Sequence, residues 1–460
     1  MSSLFGSMSI ATGSLLAEQS ALAVTANNVS NINTPGYSRQ QPDLVEGDAY
    51  FNGSQMVGTG VVLKQITSLR DNVLELRIQD EMQQQGSLDA QVNSLSDVNL
   101  QFSTENSNVG DAINNFFDSL SNLAPDPTDS SLRQSVLVSA QDLANQFQST
   151  SNRLTQQQFN LNLQVQQAVA QVNQTTAQIA ALNQKISSSG ESQDQLGTYV
   201  DQRNVLLQNL SSLIGNQVVT ADDGLTVTAC DGTALVVGGQ SFTVGYSTAA
   251  DGSPQVSVGG HDITDPSAGG SINGLLNVRN QVIPGILSNL DSIASNLIAS
   301  VNKVHEQGTD LNGNTGVDFF VPAPANGTGA AASFAVNITD ASQIAASSDG
   351  TAGSNGTLNS LIDLRRQGIV NGDTPTDAYS KLTFQVGSAL ANAQSDQQSA
   401  EAMVQQLNNQ RGAVSGVSLD EEASNLIQYQ RAYEAAARVL SIISTLTEDS
   451  VNLGNSSAVL

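Results

Sequence analysis

Tryptophan is missing from this chain of 460 residues, and cysteine, histidine and basic side chains are scarce. The single cysteine, Cys230, excludes an intramolecular disulfide. It follows the strand-like Val227-Thr228-Ala229 and precedes an Asp231-Gly232 turn, so it reads as a buried structural thiol, with no neighbouring His or basic residue to activate it. With only His261 and His305, no Cys-rich cluster and no Gly-x-Ser-x-Gly elbow, the sequence offers no constellation for nucleophilic or metal-assisted catalysis. Sixteen Lys and Arg against 42 Asp and Glu give a net charge of −26. That balance argues against neutralising nucleic-acid phosphates or an anionic membrane, and reads as a solvated surface that keeps the chain dispersed. No Lys or Arg occurs before Arg39, so a secretory n-region is missing, and no run reads as apolar enough to span a membrane. The expectation is a soluble protein with no catalytic role.

What the sequence does hold is helical periodicity, concentrated at its two ends. Met8, Leu15, Leu22 and Val29 recur every seven residues, the period that keeps one narrow stripe of a helix against a partner. The adjoining row, Ala11, Glu18, Thr25 and Ile32, is weaker, so this helix needs another beside it. It ends at Thr34-Pro35-Gly36-Tyr37, where proline moves Thr34 out of helical space and Gly36 supplies the positive φ of a type II turn. At the other end Leu419, Leu426, Tyr433 and Leu440 repeat the period, and Tyr429, Ala436 and Ile443 fill the next row. Matching helix-pairing seams are therefore expected on Leu15, Leu22 and Val29 and on Leu426, Tyr433 and Leu440.

The stretch ANNVSNINTPGYSRQ (26–40), with NLIQYQRAYEAAARVLSIISTL (425–446), resembles the paired terminal signatures of bacterial flagellar rod, hook and hook-associated axial proteins. The resemblance covers the two ends, places Asn27, Asn31, Thr34, Pro35, Gly36, Tyr37 and Arg39 in an assembly turn, and makes the two helix seams assembly seams. A further run, HEQGTDLNGNTGVDFF (305–320), is similar to one in hook-associated members. Membership implies a structural subunit at the hook-filament junction, without cofactor, exported without a cleaved signal peptide. Its implied partners are further copies of itself in a helical ring, the hook protein, the next hook-associated protein, and an export chaperone at the C-terminal helix. The rival readings are a hook or distal rod protein, which should lack the long staves described next, and a secreted coiled-coil adhesin or effector.

Between the ends the fold class reads as mainly α, a long bundle or coiled-coil body with inserted antiparallel β structure. Val57 to Ile66 is a glycine-bounded β-branched run, expected in a hairpin or extended arm. From Leu137 to Ile186 apolar and small residues alternate at three and four without a slip, which predicts a rod-like stave. Shorter rows at 286–304 and 386–407 are expected to pack with it. The implied division is 1–40 paired with 418–460; a rod-like body from 41–215, 271–307 and 376–417; a β insertion at 216–270; and a loop-rich insertion with some β structure, including a strand-like Phe334 to Ile338, at 308–375.

Asp310, Asn312, Asn314 and Asp318 present oxygens at alternate positions, as a calcium loop does. The EF-hand pattern needs Gly and Glu where this loop has Thr315 and Val321, so Asn-Gly turns explain it and no metal is expected. His261 reads as a solvated turn residue, and Glu421-Glu422 as helix-start charges favoured by the dipole.

Overall fold

The computed structural model describes residues 2–52, 55–102, 108–188, 193–221, 224–264 and 269–456. Helix α1 (Ser2–Ser30) leads through the turn at 34–37 into an antiparallel ribbon, β1 (Gln40–Glu46) with β4 (Val61–Ser68), tipped by the short pair β2 (Tyr50–Asn52) and β3 (Gln55–Val57). The ribbon lies along one side of α1. A Cβ built on Gly13 would sit 3.6 Å from the Val61 carbonyl, and one on Gly60 would sit 3.0 Å from Ile10.

The body is a set of staves. Helix α2 (Asn72–Leu100) starts at Asp71, whose carboxylate accepts the N–H groups of Val73 and Leu74. Helix α3 (Val109–Leu123) carries a strongly amphipathic face and stops before the prolines at 125 and 127. Helix α4 (Ser130–Ser187) runs 58 residues, a length of about 87 Å at the usual helical rise. Its predicted row is its buried row: Ala140, Phe147, Leu154, Leu161, Val165, Val172 and Ile179 are all enclosed. Helix α5 (Gln193–Leu213) returns along it, and α9 (Pro375–Ser415) packs along α2.

Helix α6 (Gly270–Asn277) continues through one π turn, Val278–Val282, into α7 (Ile283–His305). This stretch is long and apolar enough to cross a membrane, contrary to the sequence expectation. In the fold its apolar face is spent on the core instead, with Ile283, Leu290, Ile293, Leu297 and Val301 buried.

The strands at 216–262 form two small antiparallel sheets. The first has the order β5 (Asn216–Ala221), β6 (Gly224–Ala229), β7 (Ala234–Val237), β8 (Gln240–Ser241). The second joins β9 (Val244–Thr248), β10 (Pro254–Val258) and β11 (His261–Asp262). Cys230 follows β6 and is half-buried, more open than a core thiol, because the turn carries it to the sheet's end.

The region 308–375 contains α8 (Gly356–Asp363), two single 3-10 turns at Ala341–Gln343 and Leu364–Arg366, and otherwise turns and isolated bridges. The strand-like Phe334 to Ile338 makes only the bridge Phe320↔Val336, formed by the Asn337 N–H on the Phe319 carbonyl at 2.9 Å and the Val321 N–H on the Ala335 carbonyl at 2.8 Å; the Ile338 N–H crowds onto the same Phe319 carbonyl instead of extending the ladder. What fixes this region is aromatic packing. Phe319 and Phe320 lie against Phe116 with ring centroids 5.6 Å apart, and Phe334 stacks on Phe147 at 5.0 Å. Arg133, buried at the start of α4, ties the region down by donating to the carbonyls of Pro127 and Ile344 at 2.6 and 2.8 Å.

Helix α10 (Leu419–Ser456) turns back to pair with α1. Asn28 bonds Glu422 at 3.2 Å, and Tyr429, whose hydroxyl pKa is raised by burial first and then by Glu18, lies further along α10 beside a residue earlier in α1, so the pair is antiparallel.

Candidate assembly site

Proline and glycine set the corner locally. The Tyr37 N–H reaches the Thr34 carbonyl at 3.2 Å across Pro35-Gly36, and Gly36 takes φ +77°, the left-handed value that a type II turn demands at its third residue. A Cβ on Gly36 would lie 2.3 Å from Cγ2 of Val205 on α5, so the turn needs glycine twice over, for its φ and for its closeness to α5.

Side chains then lock the turn to the helix end. Asn31 donates to the Asn27 side-chain oxygen at 2.8 Å and accepts from the Thr34 hydroxyl at 3.0 Å, while Asn27 donates to Gln40 at 3.2 Å. The centre is Asn28. Its amide donates to the Gln40 carbonyl at 2.8 Å and to Glu422 at 3.2 Å, and its oxygen accepts from Tyr37 OH at 2.8 Å and from the Gln40 N–H at 2.9 Å. Both donors and both lone pairs are used, so a buried amide is fully satisfied.

Three further ties bind the corner to the body. Asp201 on α5 accepts from the Ser38 N–H at 2.9 Å, from the Ser38 hydroxyl at 2.7 Å and from Arg70 Nε at 3.0 Å. Arg411 near the end of α9 donates to the Gly36 carbonyl at 2.8 Å and pairs with Glu75 on α2. Arg39 pairs with Glu422 at 2.7 Å and with Glu421, and its own N–H meets the Ser415 carbonyl at 2.9 Å. Burial alone would ease the proton off Arg39; the two glutamates outweigh it and hold the guanidinium charged. Deeper in, Arg203 is pushed down to about 10 by burial and by the like charge of Arg70, and donates to Asn183 at 2.9 Å.

The expected turn residues Asn27, Asn31, Thr34, Pro35, Gly36, Tyr37 and Arg39 thus share one corner. Asn28, Ser38 and Gln40, which lie within the 26–40 signature but outside its expected turn residues, complete it together with Glu75, Asp201 and Arg411, which carry no local sequence signal; Glu421 and Glu422 act as the clasp on Arg39 beyond any dipole effect.

The seams sit differently from the packed rows. The buried row of α1 is made of small side chains, Ala11, Ala17, Ala21 and Val24, with Thr25 and Asn28, between α10 and the β1–β4 ribbon, both of which pack on this helix. Leu15 and Leu22 are half-buried and Val29 is 37% exposed. On α10 the inward row is Glu422, Tyr429, Ala436 and Ile443, whereas Leu426 and Tyr433 are exposed at 37 and 38% and Leu440 is half-buried. Helical spacing in an antiparallel pair puts both seam rows on one side, opposite the β1–β4 ribbon.

Elsewhere, Asp310 is lowered in pKa by the N–H groups of Asn314 and Asn312, against a desolvation that raises it. Its Oδ1 accepts both N–H groups at 2.8 Å, so that oxygen closes a turn. No group of three His, Cys, Asp or Glu is placed to hold a metal among the described residues. His261 is exposed and lies 3.1 Å from Asp231.

Residues 95–320 match the model of the flagellar hook-associated protein FlgK helical domain, residues 8–37 that of the flagella basal body rod protein, and residues 410–453 that of the flagellar basal body rod FlgEFG protein C-terminal. Over 98% of its length the chain is 28% identical to flagellar hook-associated protein 1 of Bacillus subtilis, of which 99% is covered. The chain belongs to the flagellar hook-associated protein 1 family. The Escherichia coli member is 26% identical over 98% of this chain and the whole of that protein. In fold the chain is similar to the flagellar hook junction protein FlgK from Burkholderia pseudomallei, with a TM-score of 0.66 at 17% identity, covering 74% of this chain and all of that one. As a member of the hook-associated protein 1 family the chain is a structural, non-catalytic protein of the flagellum's hook–filament junction.

Proposed function

We propose that copies of this chain polymerise through the paired helices α1 and α10 into a ring, with the corner at 27–39 fixing how the body is carried on that pair. The observation that carries the reading is the open apolar side of the pair. Small residues are spent on the internal contact, while Met8, Val29, Leu426 and Tyr433 are exposed by 37 to 40%. A helical pair that leaves its larger apolar side chains outside has surface to bury against neighbours of the same kind. We further propose the hook protein and the next hook-associated protein as the ring's two axial contacts, a chaperone at α10 before export, and export without a cleaved signal. The organisation into a terminal pair, a rod-like body and insertions at 216–270 and 308–375 belongs to the same proposal.

The test is complementation of a strain lacking this protein. Wild-type chain should restore swimming and retain filament subunits on the cell. A Leu22→Glu, Leu426→Glu variant, which spares the corner, should leave filament subunits in the medium. Full swimming with that variant defeats the reading.

A further inference from the structure

Helix α1 carries one charged residue, Glu18. Its Oε2 is enclosed and has no hydrogen-bond partner among the described residues, and burial pushes its carboxyl up. Nothing around it relieves this: Tyr429 faces it from α10, no cation acts on it among the described residues, and Arg39 at the corner is clasped by Glu421 and Glu422. A partly buried carboxylate left without a cation costs free energy that a close guanidinium recovers. By helical spacing Glu18 lies between the packed row at Ala21 and the open row at Leu15 and Leu22, so it is reachable from the side that the β1–β4 ribbon leaves uncovered.

The matching group lies on the far side of α10. From residue 412 onward the chain has only two basic residues, Arg431 and Arg438, and both are exposed. Neither makes an ion pair or a side-chain hydrogen bond among the described residues. Spacing puts both on the face of α10 opposite Tyr429 and Ala436, so neither can turn back to its own Glu18. Arg438 sits beside the exposed Val439 and Ile442, at 49 and 60%, which gives it an apolar surround to set against Leu15 and Leu22. Arg431 has one exposed apolar neighbour, Ile427, among Gln428, Gln430 and Glu434; Glu434 also lies one turn before Arg438, which therefore differs by its second apolar neighbour.

Resting on the polymerisation reading above, we propose that Glu18 of one copy pairs with Arg438 of a neighbouring copy, whose outer α10 face covers the open side of the first copy's helix pair. The contact is heterologous, one surface against a different one, which is the kind that propagates around a ring. It also sets opposite charges together in a chain of net charge −26, where copies otherwise repel.

Charge reversal tests this in cells lacking the wild-type chain, with filament subunits in the medium measured against those retained. Glu18→Arg and Arg438→Glu should each raise the leaked fraction at least tenfold, and the double variant should return it to within about twofold of wild type. Because Glu18→Arg also touches the internal pair, Glu18→Gln serves as a second variant and should raise leakage less than the reversal does. Neutral single variants overturn the pairing, as does a double variant no better than either single. Rescue of Glu18→Arg by Arg431→Glu, and not by Arg438→Glu, overturns the choice of arginine. A chain lacking residues 2–30 separates the two claims: if it still retains filament subunits, polymerisation through α1 is itself wrong, whereas loss there with neutral point variants removes only the ion pair.

Discussion

Replacing Asp201 by alanine should uncouple the corner from the body while both remain folded. The carboxylate is 6% exposed and accepts four contacts, from the Ser38 N–H and hydroxyl and from Nε and Nη2 of Arg70, the last at 2.9 Å. Removing it leaves the Arg70 guanidinium, whose side chain is 14% exposed, with the Gly197 carbonyl at 2.6 Å but without its counter-charge, and strands the Ser38 amide. Breaking a buried pair by deleting one partner costs about 3–5 kcal/mol, and the stranded amide shares in that cost more than it adds to it. Since about 1.4 kcal/mol is a factor of ten, amide exchange at Ser38 and Gln40 should accelerate by roughly two to three and a half powers of ten. Amides of Leu154 and Leu161, in the middle of α4 and apart from this contact, should be unchanged. Asparagine at 201 keeps an acceptor for the Ser38 N–H but loses the charge facing Arg70, so its effect should fall between. Hydrogen exchange resolved by mass spectrometry on the full chain reads all three. Acceleration at Ser38 below tenfold in Asp201→Ala would refute the view that this carboxylate ties the corner to α5.

Gly36→Val should cost about 1–2 kcal/mol in backbone strain alone, before the 2.3 Å approach to Val205 is counted, and should abolish swimming while the body's urea midpoint stays within error; a motile variant contradicts the geometry. His305 gives a pH dependence. Burial lowers its pKa against the opposing Val317 carbonyl, Asp310 and Asp318, and its ring sits 2.6 Å from that carbonyl and 2.9 Å from the donating Ala345 N–H. The unfolded chain therefore binds a proton that the fold refuses, so this contribution is present above about pH 6.5 and is lost as pH falls toward the lower folded value. Urea midpoints at pH 7.5 and 5.5 should show that fall, and His305→Gln should flatten it; an unchanged slope rules out the assignment. In a verified monomer the terminal pair should open first, because its internal contact is built on alanines, so limited proteolysis should trim roughly the first 35–40 residues and those beyond about 415 before the body is cut. Slow exchange in α1 of such a monomer would defeat that expectation.

The parts of this fold legible in the sequence are those whose cause is local. Alternation at three and four from Leu137 to Ile186 needs no knowledge of a partner, because a helix that long must bury whichever stripe is apolar, and α4 buries that row. The turn at 34–37 was legible for the same reason, since Pro35 and Gly36 restrict their own dihedrals. Spacing does not say which of two stripes is buried within one copy. On α1 the sevenfold row Leu15, Leu22, Val29 and the small row Ala17, Ala21, Val24 both lie along a helix, and periodicity marks the larger side chains as the contact. Close packing of α1 between α10 and the ribbon buries the smaller ones, because alanines let backbones come together and leave the leucines on the flank. The strand β1 was invisible because Gln40, Gln41, Pro42 and Asp43 read as a polar break, yet pairing to β4 on one edge tolerates a proline that donates nothing. Least legible was the corner's second half. Asp201 lies 163 residues beyond Ser38, and Glu422 lies 394 beyond Asn28. A carboxylate among ordinary helix residues such as Thr198, Tyr199 and Gln202 carries no mark that it will face a buried serine N–H, so only the assembled staves could bring it into view.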